Sequence, residues 1–243
     1  MNELKHMAEF RSVLKEYKPS AAARKSLEGM TLVLLTAPTA GGRNTIINKL
    51  VKTGEYHFIV SDTTRQPRVN KGVPEQNGRE YWFRTEEQFL DDLQHGQYLE
   101  AELIHNQQVS GISIRELEKA KSLHKIAIDE VDMQGIANVL PTKPDTIGIL
   151  IIPPDFETWL HRVDSRGRMD TEERRRRFNT AVEIFAMAKD GTYPVIINDQ
   201  LEDAVRKVDH LARSGEVLED QAHAHQVAAQ LHQDTQQYLR HLV

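Results

Sequence analysis

One stretch, residues 31–50, constrains the fold of this chain more than any other. An apolar, strand-like run over residues 32–35 ends before Pro38, and a loop of small residues follows it. A helical pattern then begins, with its apolar residues on one face. Free backbone N–H groups at a helix start can face an anion, and the helix dipole favours one there. The strand, loop and helix therefore have the layout of a phosphate cradle.

The loop departs from the phosphate-loop pattern G-x-x-x-x-G-K-[ST] at three positions. Ala37 stands at the first glycine, Arg43 at the lysine and Asn44 at the serine or threonine. Arginine keeps the positive charge but is bulkier and planar, so the exchange is not conservative. Because a strand joined to a helix through two glycines is common in α/β proteins, the loop alone leaves a plain connection open as the alternative.

Composition narrows the class of protein. A chain of 243 residues suits one domain with additions, or two small domains. Its 36 acidic and 31 basic residues give a net charge of −5, which disfavours a nucleic-acid partner. The absence of cysteine excludes disulfides, thiolate-bound zinc and thiol catalysis. Since the N-terminal segment has no apolar signal core and no run reaches the roughly 20 apolar residues of a membrane span, we expect a cytoplasmic protein without a membrane partner.

Further apolar runs at residues 125–131, 146–152 and 194–197 alternate with helical segments. Such runs are typical of parallel strands that are buried on both faces. The alternation predicts an α/β fold with a parallel sheet and right-handed crossovers. We place this core at residues 30–56 and 113–214.

The pattern of residues 57–112 predicts a small mixed α+β insertion between the two core pieces. Short strand patterns flank a polar segment at 69–79, which predicts a mobile loop. Thr85, and Ser113 just beyond the insertion, each precede a glutamine or glutamate by three residues. This spacing is that of a capping box, so it predicts a helix start at both positions.

Helical extensions are expected at both ends, over residues 1–29 and 215–243. In the first, Pro19 separates two helical patterns and Ser20 can cap the second. In the second, the apolar residues near one helix face are Val227, Leu231, Tyr238 and Leu242. Both extensions are interpreted as elements for packing or self-association, so a homodimer through the terminal helices is one expectation. His223 and His225 point to different helix faces, so we expect no metal site there.

Arginines form two candidate anion sites outside the loop. Arg65 and Arg68 follow a predicted strand, and with Tyr81 they can hold a phosphate through charge-assisted hydrogen bonds. A surface turn with solvated arginines is the alternative. In the arginine-rich block at 162–177, Arg162 and Arg166 share a helix face. A mobile segment can bring them, together with Arg177, over one anion. Glutamates four residues before two of the later arginines favour a solvated helix face instead.

Glu130 and Asp132 stand at the predicted end of a buried strand. Ligands of open α/β sheets bind at the carboxyl ends of strands, where carboxylates hold Mg²⁺ or orient an arginine. The alternative is that the two side chains cap the helix that follows.

Taken together, these residues resemble the guanylate kinase family from about Thr31 to Leu211. The resemblance rests on separated motifs in the family's order: residues 61–68 (SDTTRQPR), 78–83 (GREYWF), 96–100 (GQYLE) and 129–135 (DEVDMQG), the pair Pro153 and Pro154, the spacing of Arg162, Arg166 and Arg177, and residues 197–199 (IND). It implies a P-loop nucleoside monophosphate kinase fold. In that fold a parallel five-stranded core sheet is flanked by helices and carries an arginine-rich lid at about 162–177. Residues 57–112 would be the monophosphate-binding insertion, and the terminal helices are extra.

The resemblance also implies roles for single residues. The ATP phosphates would bind a loop made of Ala40, Gly41, Gly42, Arg43, Asn44 and Thr45. Mg²⁺ would be held through these phosphates, with Asn44 as a candidate direct ligand. The catalytic arginines would be Arg43, Arg162, Arg166 and Arg177. GMP would contact Ser61, Arg65, Arg68, Tyr81, Glu100 and Asp132. Asn198 would steady a lid arginine, and Glu130 would support the site.

The base pocket departs from the family pattern. Ser110 replaces a phosphate-binding tyrosine, and Ile112 replaces the hydroxyl that reads guanine. One extra residue before this pair leaves open whether Glu100 or Glu102 faces the base.

Two functions follow from the resemblance. The first is transfer of the ATP γ-phosphoryl group to GMP in purine nucleotide metabolism. The second is a non-catalytic or weakened module that binds a nucleotide or a phosphorylated peptide. The altered loop favours the second function, whereas the retained lid arginines favour the first.

Overall fold

The computed structural model describes residues 4–70, 72–104, 106–167 and 169–242; Arg168 of the arginine-rich block lies outside them. The helices are α1 (Met7–Lys15), α2 (Ala21–Ser26), α3 (Arg43–Lys52), α4 (Glu86–Gln94), α5 (Ile114–Ser122), α6 (Met133–Val139), α7 (Phe156–Asp164), α8 (Thr171–Asp190), α9 (Leu201–Ser214) and α10 (Gln221–His241). The strands are β1 (Leu32–Thr36), β2 (Tyr56–Phe58), β3 (Asp62–Thr63), β4 (Val69–Asn70), β5 (Val73–Pro74), β6 (Trp82–Phe83), β7 (Tyr98–Ile104), β8 (Gln108–Ser113), β9 (Ile126–Glu130), β10 (Ile147–Ile152) and β11 (Val195–Ile197).

The core is a parallel five-stranded sheet in the order β11-β10-β1-β9-β2, and helices flank it. β1 pairs with β10 from Val33 opposite Ile147 to Thr36 opposite Leu150. Every residue of β1 is buried, as is expected for a strand that is covered on both faces. The predicted α/β fold class with a five-stranded parallel sheet is confirmed.

A second, mixed sheet has the order β6-β3-β8-β7. β3 is parallel to β6 and antiparallel to β8, and β7 and β8 form an antiparallel pair. Within the segment for which we predicted a polar loop, β4 and β5 pair as a short antiparallel hairpin.

The chain divides into two compact units. The first contains the described residues up to Thr31, His57–Ala127 and Ala137–Thr146. Its apolar cluster joins α1 to α4 and the mixed sheet through Phe10, Phe89, Leu93, Tyr98 and Val109. The second unit contains Leu32–Tyr56, Ile128–Ile136 and the described residues from Ile147 onward. Its helices α7, α8 and α10 share a cluster that includes Trp159, Phe178, Phe185, Ala224 and Leu231.

One of the two predicted capping boxes is present. Thr85 Oγ1 accepts a hydrogen bond from the Gln88 backbone N–H at 3.2 Å, and the Gln88 side chain accepts one from Thr85. At Ser113 the predicted helix start is confirmed, since Ser113 is the N-cap residue of α5, but the predicted capping box is wrong, because the hydroxyl makes no cap hydrogen bond. The Glu116 carboxylate, 1 % exposed, instead accepts from Trp82 Nε1 at 2.9 Å and lies 2.7 Å from His57 Nε2. A buried carboxylate requires such partners, so tertiary contacts displace the local one.

Both terminal extensions are helical and pack within the chain. Ser20 caps α2 as predicted, since its hydroxyl accepts from the Ala23 N–H at 3.1 Å. The apolar side of α10 is buried at Ala224, Ala228 and Leu231. Among the described helices, none combines the length and apolar character that crossing a bilayer requires.

Candidate active site

The loop between β1 and α3 presents unpaired backbone donors at a helix start. Gly42 is the N-cap residue of α3, with φ of 99°, and a Cβ atom there would lie 2.0 Å from Asn198 Nδ2. Only glycine adopts this conformation so close to another side chain. Within the described part of the chain, no group accepts a hydrogen bond from the backbone N–H of Gly42, Arg43 or Asn44. These donors, together with the helix dipole, form an anion-binding position.

Three side chains from the second half of the chain fix the loop in place. Asn198 Nδ2 donates to the Gly41 carbonyl at 2.9 Å, and Trp159 Nε1 donates to the Thr39 carbonyl at 2.7 Å. Arg177 Nη1 donates to Thr39 Oγ1 at 3.1 Å. These three contacts hold the loop in the geometry that presents its backbone N–H groups to an anion.

Arg43, at the lysine position of the pattern, binds the end of β9. Its Nε donates to Glu130 Oε2 at 3.2 Å, and its Nη1 donates to the Val131 carbonyl at 3.0 Å. Both charged side chains are partly exposed, at 26 % and 31 %. Glu130 therefore orients an arginine, which is one of the roles considered for it from the sequence.

Asp132 caps the helix that follows, which is the alternative role considered for these strand-end carboxylates. Its Oδ1 accepts from the Gly135 backbone N–H at 2.7 Å at the start of α6. Asn44 and Thr45 lie exposed in the first turn of α3. Among the described residues, no group of three His, Cys, Asp or Glu side chains is placed to hold a metal ion.

Lid arginines and the loop line one cavity of about 290 Å³, formed by Ala40, Gly42, Thr45, Arg162, Ser165, Arg166, Asn198, Asp199 and Leu201. Arg162 Nη1 donates to the Asn198 carbonyl at 2.8 Å, and its Nη2 donates to the Asp199 carbonyl at 3.3 Å. Asn198 thus holds Arg162 through its backbone and the loop through its side chain. Arg177 reaches the loop from α8 and also pairs with Glu173 at 2.6 Å.

In the first unit, Arg65 is bound by a carboxylate that we did not predict. Its Nη1 and Nη2 donate to the two oxygens of Glu75 at 2.6 and 3.0 Å. The guanidinium also lies 4.6 Å from the ring centre of Tyr81. The hydrogen bonds from Arg65 lower the pKa of Glu75 to about 2. The structure thus brings Arg65 and Tyr81 together. The side chain of Arg68, which follows Arg65 closely in the sequence, is exposed.

Glu75 uses the bidentate face of Arg65 that suits a phosphate equally well. Its Oε2 also accepts from the Arg68 backbone N–H at 2.8 Å. A phosphate that binds to this face of Arg65 must therefore displace Glu75 or share the arginine with it.

The strand that precedes these arginines is anchored by a buried aspartate. Asp62 is fully buried and accepts from Arg115 Nη2 at 2.8 Å and from the Tyr98 hydroxyl at 3.0 Å. Burial raises the pKa of Asp62, although the nearby arginines oppose the shift. This anchor fixes β3 between Ser61 and Arg65, two residues that the resemblance places in the GMP site.

The pairing of β7 with β8 places both candidate base-reading glutamates on one face of the sheet. Glu100 lies opposite Ile112, and Glu102 lies opposite Ser110. A register shift between Tyr98 and Glu100 takes up one residue. Because side chains alternate along a strand, the other face carries residues such as Ala101, which pack on the α1 cluster.

Sequence reasoning missed three contributors, which are Thr39 and Trp159 at the loop of the second unit and Glu75 beside Arg65 in the first unit. Thr39 acts through its backbone carbonyl and its hydroxyl, and Trp159 acts through its indole N–H; no motif marks such contacts. Glu75 lies in the polar segment after Arg68, where no local pattern distinguishes it from its neighbours.

The parallel sheet, the anion-binding loop after β1 and the arginines beside it have the layout of the P-loop nucleoside monophosphate kinase fold. Comparison with known proteins gives the family. A family model described as Guanylate kinase matches residues 29–214, more than half of the chain, so the chain belongs to the guanylate kinase family. α1, α2 and α10 lie outside the matched residues.

Individual relatives agree with this assignment. The guanylate kinase of Corynebacterium glutamicum is 33% identical over 180 residues, which cover 73% of this chain and 92% of that protein. The guanylate kinase of Cutibacterium acnes is 32% identical over 189 residues, with coverage of 77% and 92%. The crystal structure of guanylate kinase from Anaplasma phagocytophilum has the same fold, with a TM-score of 0.54 at 24% identity over 79% of this chain and 88% of that one.

Proposed function

We propose that this protein is a guanylate-kinase-like phosphotransferase that converts ATP and GMP to ADP and GDP in cytoplasmic purine nucleotide metabolism. The observation that carries the proposal is the cavity in which Arg162 and Arg166 line the same space as the loop at Gly42. Two arginines beside unpaired N–H groups suit the phosphates of a nucleoside triphosphate. A module that binds only monophosphates or peptides has no use for this second anion site.

The donor side of the mechanism is electrostatic. Phosphoryl transfer passes through a loose transition state, so positioning and charge stabilisation supply most of the rate acceleration. The backbone N–H groups of the loop hold the phosphates, and Arg43, Arg162, Arg166 and Arg177 offset the charge that develops on the transferred group. Arg43 Nε is engaged by Glu130, so the phosphates would be bound by the remaining N–H groups of the guanidinium.

The residues around the loop fit Mg²⁺ that is held mainly by the nucleotide phosphates. Mg²⁺ prefers oxygen ligands, and Asn44 supplies one exposed amide oxygen at the helix start. Glu130 is engaged by Arg43, and Asp132 by the start of α6. When bound, the ion would neutralise part of the negative charge of the nucleotide phosphates, and Asn44 would be the side chain placed to help hold it.

On the acceptor side, Arg65, Arg68 and Tyr81 hold the GMP phosphate, and Ser61 contacts guanine. We assign the base-reading carboxylate to Glu100 rather than Glu102. Support comes from the strand register, because Glu100 lies opposite Ile112, which stands where the family's base-reading hydroxyl is expected.

A coupled ADP-release assay with GMP, dGMP, AMP, CMP and UMP tests the proposal. We expect turnover with GMP above the other monophosphates. The competing function, a non-catalytic module, is favoured by one observation, the pairing of Arg43 with Glu130. Absence of turnover with all five acceptors, in a sample that still binds GMP by calorimetry, would establish the non-catalytic module instead.

We do not extend the proposal to a homodimer through the terminal helices. Phe10 of α1 is fully buried within the first unit, and the apolar side of α10 is buried within the second. Of the α10 residues that suggested self-association, Leu231 is buried in the chain, while Val227, Tyr238 and Leu242 are half-buried.

A further inference from the structure

α10 lies beyond the residues that match the family model, and the proposed function gives it no task. Nevertheless it packs along α8, the helix that carries Arg177. Ala224, Ala228 and Leu231 of α10 are buried in one cluster with Trp159 and Phe178.

The end of α10 contacts α8 through an aromatic clamp, which we define as Phe156, Arg174, Phe178 and Tyr238. The Tyr238 ring stacks on Phe178 with a centre distance of 4.9 Å and an interplanar angle of 28°. It also lies 5.7 Å from the Phe156 ring of α7. The Arg174 guanidinium sits 5.4 and 5.5 Å from the ring centres of Phe178 and Tyr238, respectively.

Additional polar contacts tie the same region together. Arg174 pairs with Asp164 at the end of α7 at 2.8 Å. Arg175 donates a hydrogen bond to the Leu242 carbonyl that follows α10. The first turns of α8 are thus held from two sides, by α7 and by the end of α10.

The aromatic clamp connects directly to the phosphate loop. Phe178 follows Arg177 in sequence, and Arg177 donates to Thr39 of the loop. Trp159 lies 4.6 Å from the Phe178 ring, and its indole N–H donates to the Thr39 carbonyl. A shift of Phe178 would therefore move two of the side chains that hold the loop.

We propose that α10 braces the lid helix α8, and that Tyr238 is a positioning residue that keeps Arg177 and the loop aligned for the donor phosphates. This inference rests on the proposed function, since it assigns α10 to the ATP site. It predicts that loss of the Tyr238 ring weakens ATP binding and leaves GMP binding unchanged.

Calorimetric titration of the full chain with ATP and, separately, with GMP tests the brace. Tyr238→Leu keeps much of the apolar volume but loses the stacked ring. It should raise the dissociation constant of ATP by about three- to tenfold, which is part of the worth of one charge-assisted contact. Tyr238→Phe should restore the wild-type value, because the ring rather than the hydroxyl makes the contacts.

Leu231→Ala is the matched control. It removes buried packing about two turns earlier in the same helix, outside the aromatic clamp. We expect a lower melting temperature with little change in ATP affinity. If Tyr238→Leu and Leu231→Ala weaken ATP binding equally, or Tyr238→Leu leaves it unchanged, α10 is only a stability element and the brace is wrong. If the wild-type chain binds no ATP, both the brace and the proposed function fail.

Discussion

The contacts of Arg43 differ from those that its position in the phosphate-loop pattern predicts. Its place at the start of α3 is that of a phosphate-binding cation, but its guanidinium binds Glu130 and the Val131 carbonyl. Arg65 behaves similarly with Glu75. In both cases a carboxylate of the chain occupies an arginine that the sequence assigns to phosphate, and the charge of the arginine is partly offset.

Arg43→Ala should lower the rate of phosphoryl transfer at saturating nucleotide by about ten- to a hundredfold, the worth of one lost charge-assisted contact. Lys49→Ala is the control. Lys49 lies on α3, like Arg43, but it is further from the loop and pairs with Glu202 of α9. Steady-state kinetics of the two variants decide the matter. A full rate in Arg43→Ala would show that Arg43 makes no contact with the transferred group.

Gly42→Ala should destabilise the protein by about 1–3 kcal/mol and weaken ATP binding, because φ is 99° and a Cβ atom would meet Asn198 at 2.0 Å. Gly54→Ala is a matched control, since Gly54 also has positive φ, at 85°, but no atom within 4 Å of an added Cβ. Urea denaturation and ATP titration of both variants separate the backbone effect from the clash. Equal losses would mean that the contact with Asn198 is unimportant.

The ion pair of Arg65 and Glu75 should make stability depend on pH in the acid range. Arg65 lowers the pKa of Glu75 from 4.5 to about 2. A carboxylate whose pKa is lowered by folding adds stability above its unfolded pKa, and this contribution is lost as the pH falls through the lowered value. The destabilisation caused by Glu75→Gln should therefore be full near neutral pH and shrink as the pH falls from about 4.5 to about 2.

Denaturation of wild type and Glu75→Gln across this pH range measures the effect, with the exposed Glu118→Gln as the control. A difference between wild type and Glu75→Gln that stays constant with pH would contradict the assignment of the shift to Arg65.

At the scale of elements, the helices outside the family match belong to the cores of their units. α1 packs on α4 and β7, with Phe10 edge-on to Phe89 at 6.1 Å. The Tyr17 hydroxyl, just after α1, donates to the Tyr98 carbonyl at 2.6 Å. α1 thus packs against the side of β7 that carries Ala101 and Leu103.

Phe10→Ala should cost about 3–5 kcal/mol of unfolding free energy, since the ring is fully buried and its removal leaves a cavity. Arg11→Ala, exposed on the same helix, should have little effect. Urea denaturation of both variants is the measurement. A loss below about 1 kcal/mol for Phe10→Ala would mean that α1 is dispensable for the unit that it packs on.

At the scale of the whole molecule, the two compact units divide the proposed tasks. The loop and lid arginines lie in the unit built on β1, β10 and β11, whereas Arg65, Tyr81 and Glu100 lie in the unit with the mixed sheet. Under the proposed function, the ATP contacts would lie in one unit and the GMP contacts in the other.

Light scattering should give a monomer mass near 27.8 kDa in solution. The reason is that the apolar faces of α1 and α10 are buried within the chain. A concentration-independent dimer would contradict this and would direct attention to other surfaces. The Phe10→Ala variant serves as a comparison, since exposing the α1 pocket should promote association if that pocket is adhesive.

The sequence alone determined the features that depend on local patterns. Apolar runs and their alternation with helical segments gave the α/β class, and the Thr85 capping box marked the start of α4. The spacing of the arginines and the order of the motifs pointed to the family that the comparisons establish. These features succeed because strand burial, helix periodicity and capping each involve residues only a few positions apart.

Only the tertiary structure decided which partner each charged side chain takes. Arg43 and Glu130 are 87 positions apart, so no local pattern joins them. The same holds for Glu116, whose partner Trp82 removed it from the predicted capping box. The register of β7 against β8, which sets Glu100 opposite Ile112, likewise depends on where the strand takes up an extra residue, and the structure places that shift between Tyr98 and Glu100. Long-range packing and the need to pair buried or half-buried charges fix these choices. In the stretch at residues 31–50, these long-range contacts hold the loop between β1 and α3 in place through Asn198, Trp159 and Arg177.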